Sequence, residues 1–406
     1  MRFQTLPGFR DFFPEDMAVR RWIESAWRGS SRAAGFEEID GPVLEGLELF
    51  TAKSGPEIAG QLFAFTDKGG REVALRPEMT PTLARMIGAR GAGLPKPIKW
   101  YSVPEFYRYE KMQRGRLRAF YQWNVDVIGS DEPAADAEAI AVALDALRRL
   151  GLAADDVVVR INDRRFVARA LDALGVAPDA QAEVLAIVDK LDRDREAFAR
   201  LEERVGAKVA AEIRAICAEY PLARAEELGA VLDACREYGV TSPLQPDFRI
   251  VRGLAYYTGP VWEIFDRGRT LRAVAGGGRY DNLMEAMGAP KLPALGFGMG
   301  DVVLGELLAE KKLVPKSLPR IEVAVLAVTP ELAGAARRLV AQLRAKGVAA
   351  ETPYGAPKLA KALKAADAAG ATRVVIVGPD EWKDGNVMVK DLRSGAETLL
   401  RVDSLT

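Results

Sequence analysis

Apolar residues recur at helical spacing between positions 16 and 34. Met17, Val19, Trp22, Ile23, Ala26 and Trp27 fall on one side of a 3.6-residue repeat, and Gly35 stops the run. The period then changes. Phe36 to Val43 alternates and ends at Gly41-Pro42, as an edge or interface strand does. Phe63–Thr66 and Glu72–Leu75 flank Asp67-Lys68-Gly69-Gly70, which predicts a hairpin. Further strands are expected at 97–109 and 119–129, and an Ala- and Leu-rich helix over 134–150. Hairpins mixed with helices in this way read as an α+β fold with a largely antiparallel sheet.

From about 165 the chain becomes rich in Ala, Glu, Arg and Leu, with little β signal, which predicts a helical insertion over 165–241. A strand signal returns at Phe248-Arg249-Ile250-Val251. The core domain is therefore expected in two parts, 1–164 and 242–312. Lys311 to Pro319 carries three lysines and two prolines, and 313–319 reads as a linker. Beyond it, a strand from Ile321 to Ala327, helices over 330–346 and 356–369, and a strand from Thr372 to Gly378 predict a small α/β domain over 320–406.

Composition changes this picture mainly by exclusion. The 406 residues hold 57 Lys plus Arg and 57 Asp plus Glu, so any nucleic-acid binding must come from local patches and not from an overall field. There is no histidine, which removes His general bases, Ser-His-Asp and Cys-His catalysis, and His-bound zinc. Chemistry here rests on carboxylates, arginines, tyrosines and backbone. Activation of a carboxylate by ATP suits those groups, because the carboxylate is already a nucleophile and the protein mainly aligns and neutralises charge. Cys217 and Cys235 lie in one helical region and read as reduced core thiols. With no apolar run of membrane length and no apolar signal core at the start, a cytoplasmic location is expected.

Four clusters carry candidate chemistry. Arg108 to Gln122 is a strand, a basic loop punctuated by Gly115, and a second strand. A solvated hairpin tip is the plain reading of such a loop, but an arginine fork at its base also suits a polyphosphate. Leu75-Arg76-Pro77-Glu78-Met79-Thr80-Pro81-Thr82 sets a charged pair and hydroxyls between strand and helix; Thr80 or Thr82 caps the helix, or Glu78 and Thr80 hold an ammonium group. Arg252-Gly253 followed by Tyr256-Tyr257 and Glu263 would line a pocket for a small planar ligand. Gly276-Gly277-Gly278 on a strand end permits close approach of backbone to a ligand, or a bulge. Gly296-Phe297-Gly298-Met299-Gly300 repeats the small-residue theme before a helix whose N-terminus would favour an anion.

Nearly end to end, the chain resembles the class II aminoacyl-tRNA synthetases, and within that class the histidine-specific family. Leu6 to Asp11 is similar to that family's opening. The first helix and the strand ending at Pro42 resemble class motif 1, Phe106 to Gln122 resembles motif 2, and Gly296 to Leu304 resembles motif 3. Arg252 to Tyr257 and Gly276 to Asp281 resemble the two histidine-specific signatures. The resemblance implies a class II antiparallel-sheet catalytic domain with the helical insertion, followed by a C-terminal α/β anticodon-binding domain. It implies L-histidine, ATP with Mg2+, and tRNA(His) as ligands, and a homodimer. Arg108 and Arg252 would be catalytic at the ATP α-phosphate. Glu110, Arg116, Gly298 and Gly300 would bind ATP. Glu78, Thr80, Gln122, Asp126, Arg252, Tyr256, Tyr257 and Gly277 would bind histidine, and Gln113 and Arg118 would meet the tRNA acceptor end.

Several positions depart from the family pattern. Val303 stands where motif 3 ends in an arginine for the ATP γ-phosphate, with Arg279 or Arg114 as possible stand-ins, and Ala255 stands where the tyrosine signature has an aspartate. Met112 and Trp123-Asn124 also differ. A non-catalytic histidine-binding paralogue, such as the synthetase-like regulatory subunit of ATP phosphoribosyltransferase, is the alternative, and Val303 is the strongest point for it.

Overall fold

The computed structural model describes residues 3–52, 60–191, 194–251, 257–315, 319–355 and 357–405. The chain forms two compact units, Met1–Val314 and Pro315–Thr406.

In the first unit, α1 (Pro14–Ala33) begins earlier than the periodicity predicts, because Pro14 sits at the first helical position, where its missing N–H costs nothing. There follow β1 (Glu37–Glu38), β2 (Leu44–Gly46), α2 (Leu47–Thr51), β3 (Ala64–Thr66), β4 (Glu72–Leu75) and α3 (Thr80–Arg90). The expected 97–109 strand is two, β5 (Ile98–Ser102) and β6 (Glu105–Tyr107), parted at Val103-Pro104. Then come β7 (Ala119–Ile128), α4 (Pro133–Arg149) and β8 (Val157–Asp163). Helices α5 (Arg164–Ala173), α6 (Pro178–Val188), α7 (Ala197–Val205), α8 (Ala207–Ala218) and α9 (Glu226–Glu237) make up the helical stretch. The unit ends with β9 (Leu244–Pro246), β10 (Pro260–Asp266), β11 (Ala275–Arg279), α10 (Leu283–Ala286), β12 (Ala294–Gly300) and α11 (Asp301–Glu310).

Among the described residues a nine-stranded sheet runs β1-β5-β7-β12-β11-β10-β8-β9, with β6 pairing β7 off this path. Only β1 with β5 and β8 with β9 pair in parallel. A smaller sheet runs β2-β4-β3. The strand expected at Phe248–Val251 is instead a turn. The Asp247 carboxylate accepts the Arg249 N–H at 3.1 Å, and Ile250 N–H turns back to the Asp247 carbonyl, so these groups do not reach a ladder. β9 lies just before it.

The large sheet has two unlike faces, set by the two-residue alternation of strands. On one, Trp123, Trp262 and Phe297 pack together with Trp27 of α1, under α4 and α9. The helical stretch shares this core: Val184, Leu201, Ile213, Leu228 and Cys235 are all buried in it. The Cys235 thiol is pushed up to about 12 by burial, which suits an inert core thiol. Arg279 belongs to this side too. It donates to Asp136 of α4, to the Ser130 carbonyl and to Asp281, so it is a structural cation and does not stand in for the arginine missing at 303. The opposite face carries Gln122, Asn124 and Asp126 of β7, Gly276 and Gly278 of β11, and the glycines of β12.

The second unit holds β13 (Val323–Ala327), α12 (Ala333–Ala345), β14 (Ala350–Glu351), α13 (Leu359–Ala368), β15 (Arg373–Val377), α14 (Pro379–Lys383), β16 (Asn386–Asp391) and β17 (Glu397–Arg401). Its sheet runs β14-β13-β15-β16-β17, parallel through β15 and antiparallel beyond. Val323, Val325, Leu339, Leu343, Val375 and Val377 form a core of its own. No described helix of the chain is long and apolar enough to cross a membrane.

Candidate active site

The open face of the large sheet is floored by glycine. Gly296 and Gly298 of β12 pair with Asp126 and Asn124 of β7, and Gly276 and Gly278 of β11 pair with Gly298 and Gly296. A Cβ on Gly296 would lie 2.3 Å from Asp126 Oδ1, and one on Gly298 would lie 1.8 Å from Gln122 Nε2. The bare strands therefore make room for the polar side chains of β7 lying across them. The glycines are mid-strand, not at the strand end that the sequence suggests, and the whole of β11 is buried.

Gly277 lies on the wrong face for a ligand-binding role. It pairs with Phe297 and Trp262 on the core side, and a Cβ there would meet Phe297 Cβ at 2.5 Å. Its neighbours Gly276 and Gly278 face the cleft. Close packing against the aromatic core explains why residue 277 has no side chain.

Gln122 donates through Nε2 to Asn124 Oδ1 at 3.0 Å, and Asn124 Nδ2 returns a bond to the Gln122 carbonyl at 3.1 Å. Two residues on, Asp126 accepts a hydrogen bond from the Tyr280 hydroxyl. Burial pushes the Asp126 carboxyl up to about 7, against the opposing pull of Tyr280. Tyr257 and Tyr280 share an apolar cluster with Val261, Ile128 and Ile98 on this face. Tyr280 is a site residue that the sequence reading passed over, although it lies inside one of the quoted signatures. Arg252 and Tyr256 lie outside the described residues.

At the sheet end, Arg108 reaches across two elements. Its Nε donates to the Pro77 carbonyl at 2.8 Å, and its guanidinium lies 5.3 Å from the centre of the Phe120 ring. Phe120 shares the cleft face with Gln122 by strand alternation. The Pro77 contact sets Arg108 beside the segment that carries Glu78, which is buried, and Thr80, which begins α3. Neither threonine caps that helix: Met79 is the N-cap, and Thr82 is buried with its hydroxyl on Glu45 at 3.4 Å. Arg76, the other charge of this cluster, is structural. It is buried and donates to Asp40, the Gly41 carbonyl and the Glu105 carbonyl.

The basic loop is folded on itself and on α11. Arg116 pairs with Glu110 at 2.7 Å, and Arg118 lies 4.0 Å over the Tyr109 ring. Gln113 accepts from Arg272 at 2.6 Å. Arg114 binds Glu306 and Glu310 of α11, so it too fails to stand in for the missing arginine. Val303 is buried, and Gly300 forms the N-cap of α11. Asp301, next to it, accepts from Arg10 at 2.7 Å and from the Tyr121 N–H at 3.0 Å. These bonds tie the N-terminal segment to the site.

A glycine-floored antiparallel sheet, with an arginine at the base of a strand–loop–strand and a helix leaving the last strand, is the catalytic architecture of the class II aminoacyl-tRNA synthetases. Residues 8–300 match the family profile of histidyl-tRNA synthetase, and residues 322–406 that of an anticodon binding domain. The chain belongs to the histidyl-tRNA synthetase family. It is 42% identical to the histidine–tRNA ligase of Opitutus terrae, over 98% of this chain and 95% of that one. It is 39% identical to the chloroplastic/mitochondrial histidine–tRNA ligase of Arabidopsis thaliana, over 98% of this chain and 85% of that one. The crystal structure of histidyl-tRNA synthetase from Nostoc sp. PCC 7120 superposes with a TM-score of 0.82 at 25% identity, covering 99% of this chain and 98% of that one.

The arrangement makes one side chain test sharp. In Gly298→Ala, the new Cβ takes the place of the Gln122 amide. The amide is the far end of a flexible side chain, so it swings away and the sheet survives. If Gln122 binds the substrate ammonium, the KM for histidine should rise about ten- to a hundredfold, the worth of a hydrogen bond to a charged group, with thermal stability retained. An unchanged KM would remove Gln122 from the histidine site.

Proposed function

We propose that this chain ligates L-histidine to tRNA(His) through a histidyl-adenylate. The observation that carries the reading is the shared face on which Arg108 over Phe120, Gln122, Asp126 and Tyr280 surround a glycine floor, in a chain of this family. The histidine carboxylate attacks the ATP α-phosphorus and displaces pyrophosphate. The 3′-terminal hydroxyl of tRNA then attacks the adenylate carbonyl and displaces AMP. Arg108 neutralises the α-phosphate as negative charge moves to the pyrophosphate, and Arg252 is assigned the same phosphate and the substrate carboxylate. Glu78, Thr80, Gln122 and Asp126 take the ammonium, and Tyr256 and Tyr257 the imidazole. Gln113 and Arg118 meet the acceptor end.

ATP is the co-substrate in this reading. A magnesium ion accompanying it would be held by phosphate oxygens with one or two carboxylates. Glu110, 4.0 Å from Arg108, is a half-buried carboxylate suited to that and to the adenine side. When bound, the ion adds charge neutralisation at the phosphates. A homodimer is supported by the two-residue edge strand β1 and by Val43 and Leu44, which are exposed beside it in sequence.

The pH dependence tests the ammonium site. Asp126 has its carboxyl raised to about 7, so it binds a proton in the very range where it would have to be ionised to hold a cation. As pH falls below 7, the ionised fraction drops about tenfold per unit, and the KM for histidine should rise in step. Substrate imidazole titrates nearby, so Asp126→Asn is the reference. It should show a higher KM at pH 8 and a flatter profile below 7. Identical pH profiles for parent and variant would contradict the assignment.

A further inference from the structure

The loop between β6 and β7 is held at its tip by two consecutive residues, Gln113 and Arg114, and turns at the next. Arg272, in the turn before β11, donates to Gln113 Oε1 at 2.6 Å. Arg114 donates through Nε to Glu306 at 2.9 Å and through Nη2 to Glu310 at 2.5 Å, two carboxylates one turn apart on α11. Gly115 turns with a φ of +75°, and a Cβ there would lie 3.1 Å from Val303 Cγ2 and 3.6 Å from Arg272 Cδ. The loop tip is thus seated on α11, over the side chain that departs from the family pattern. A long guanidinium at 303 would need the space that the tip occupies, whereas valine leaves the seat open. One exposed ion pair contributes little stability. Ties on two adjacent residues, Gln113 and Arg114, reaching two separate elements, set a position.

We propose that Glu306 and Glu310, acting through Arg114, are positioning residues for the acceptor end of tRNA. They hold the loop tip on α11 so that Gln113 and Arg118 meet the RNA already placed. The proposal rests on the tRNA-charging reading above. It assigns no chemical step to either glutamate, and it accounts for valine at 303 as the seat of the loop.

The sign of one experiment decides it. Carboxylates beside RNA repel its phosphates, so removing two bystander charges would strengthen tRNA binding. Removing two positioning residues weakens it. In the full-length protein, Glu306→Gln with Glu310→Gln should raise the KM for tRNA about tenfold or more in aminoacylation, since a small misplacement of a binding group is costly. Histidine-dependent pyrophosphate exchange should stay at the parent rate. Arg114→Glu combined with Glu306→Arg and Glu310→Arg should recover tRNA KM better than the two Arg substitutions alone, which add the same cations without the tie. A KM for tRNA at or below the parent value in the Gln variant would overturn the proposal. So would an equal loss of exchange and charging, which marks a purely structural role. A parent protein without exchange would be recognised separately, as failure of the tRNA-charging reading and of this proposal with it.

Discussion

Arg108→Ala is expected to lower kcat/KM for histidine-dependent pyrophosphate exchange by about a hundred- to a thousandfold, the usual cost of removing one preorganised charge-stabilising donor. The side chain is held by the Pro77 carbonyl and by the Phe120 ring, so its guanidinium is already directed before ligands arrive. The loss should fall on kcat as well as KM, because charge on the leaving pyrophosphate develops only as the reaction proceeds. Arg108→Lys should rescue little, since a point charge lacks the planar fork. Exchange within a few-fold of the parent would exclude Arg108 from the phosphate site. Thermal melting provides the control: Arg108 is half-buried, and its side chain bonds the Pro77 carbonyl outside the packed cores, so its loss should leave the fold in place.

Truncation after Val314 should separate the two half-reactions. The second unit has its own core, and the first keeps every described residue of the glycine-floored face. Adenylate formation by the shortened protein should remain close to that of the full chain. Charging of tRNA should lose about a hundredfold or more in kcat/KM, because a ligand gripped by two linked modules forfeits the effective concentration that the second supplies. Steady-state exchange and aminoacylation on the same preparation measure both. Equal loss of the two would contradict the assignment of residues 322–406 to tRNA.

Legibility from sequence followed the range of the interactions. Gln122 and Asp126 were named through the family resemblance, and strand alternation along β7 puts them on one face together with Asn124. Gly277 was misplaced because the sequence shows three equivalent glycines, and only pairing with Phe297 and Trp262 tells which of them faces the core. Arg76 and Arg279 looked like candidate cations; their carboxylate partners, Asp40 and Asp136, lie 36 and 143 residues away, beyond any local pattern. The strand expected at Phe248 failed for a local reason, since β-branched residues lost to the Asp247 turn. The hairpin of β16 and β17 escaped notice because Asn386–Asp391 mixes polar and apolar residues on both faces, although Ser394-Gly395 marks its turn. The seating of the loop tip on Val303 has no sequence signal at all: valine there registers only as a missing arginine.

The most direct test is ATP–pyrophosphate exchange by the purified full-length protein with histidine, using proline and threonine as controls. Exchange with histidine alone is the predicted result. Absence of exchange while histidine still binds would contradict the account, and would make the chain a histidine-binding paralogue that has lost the reaction.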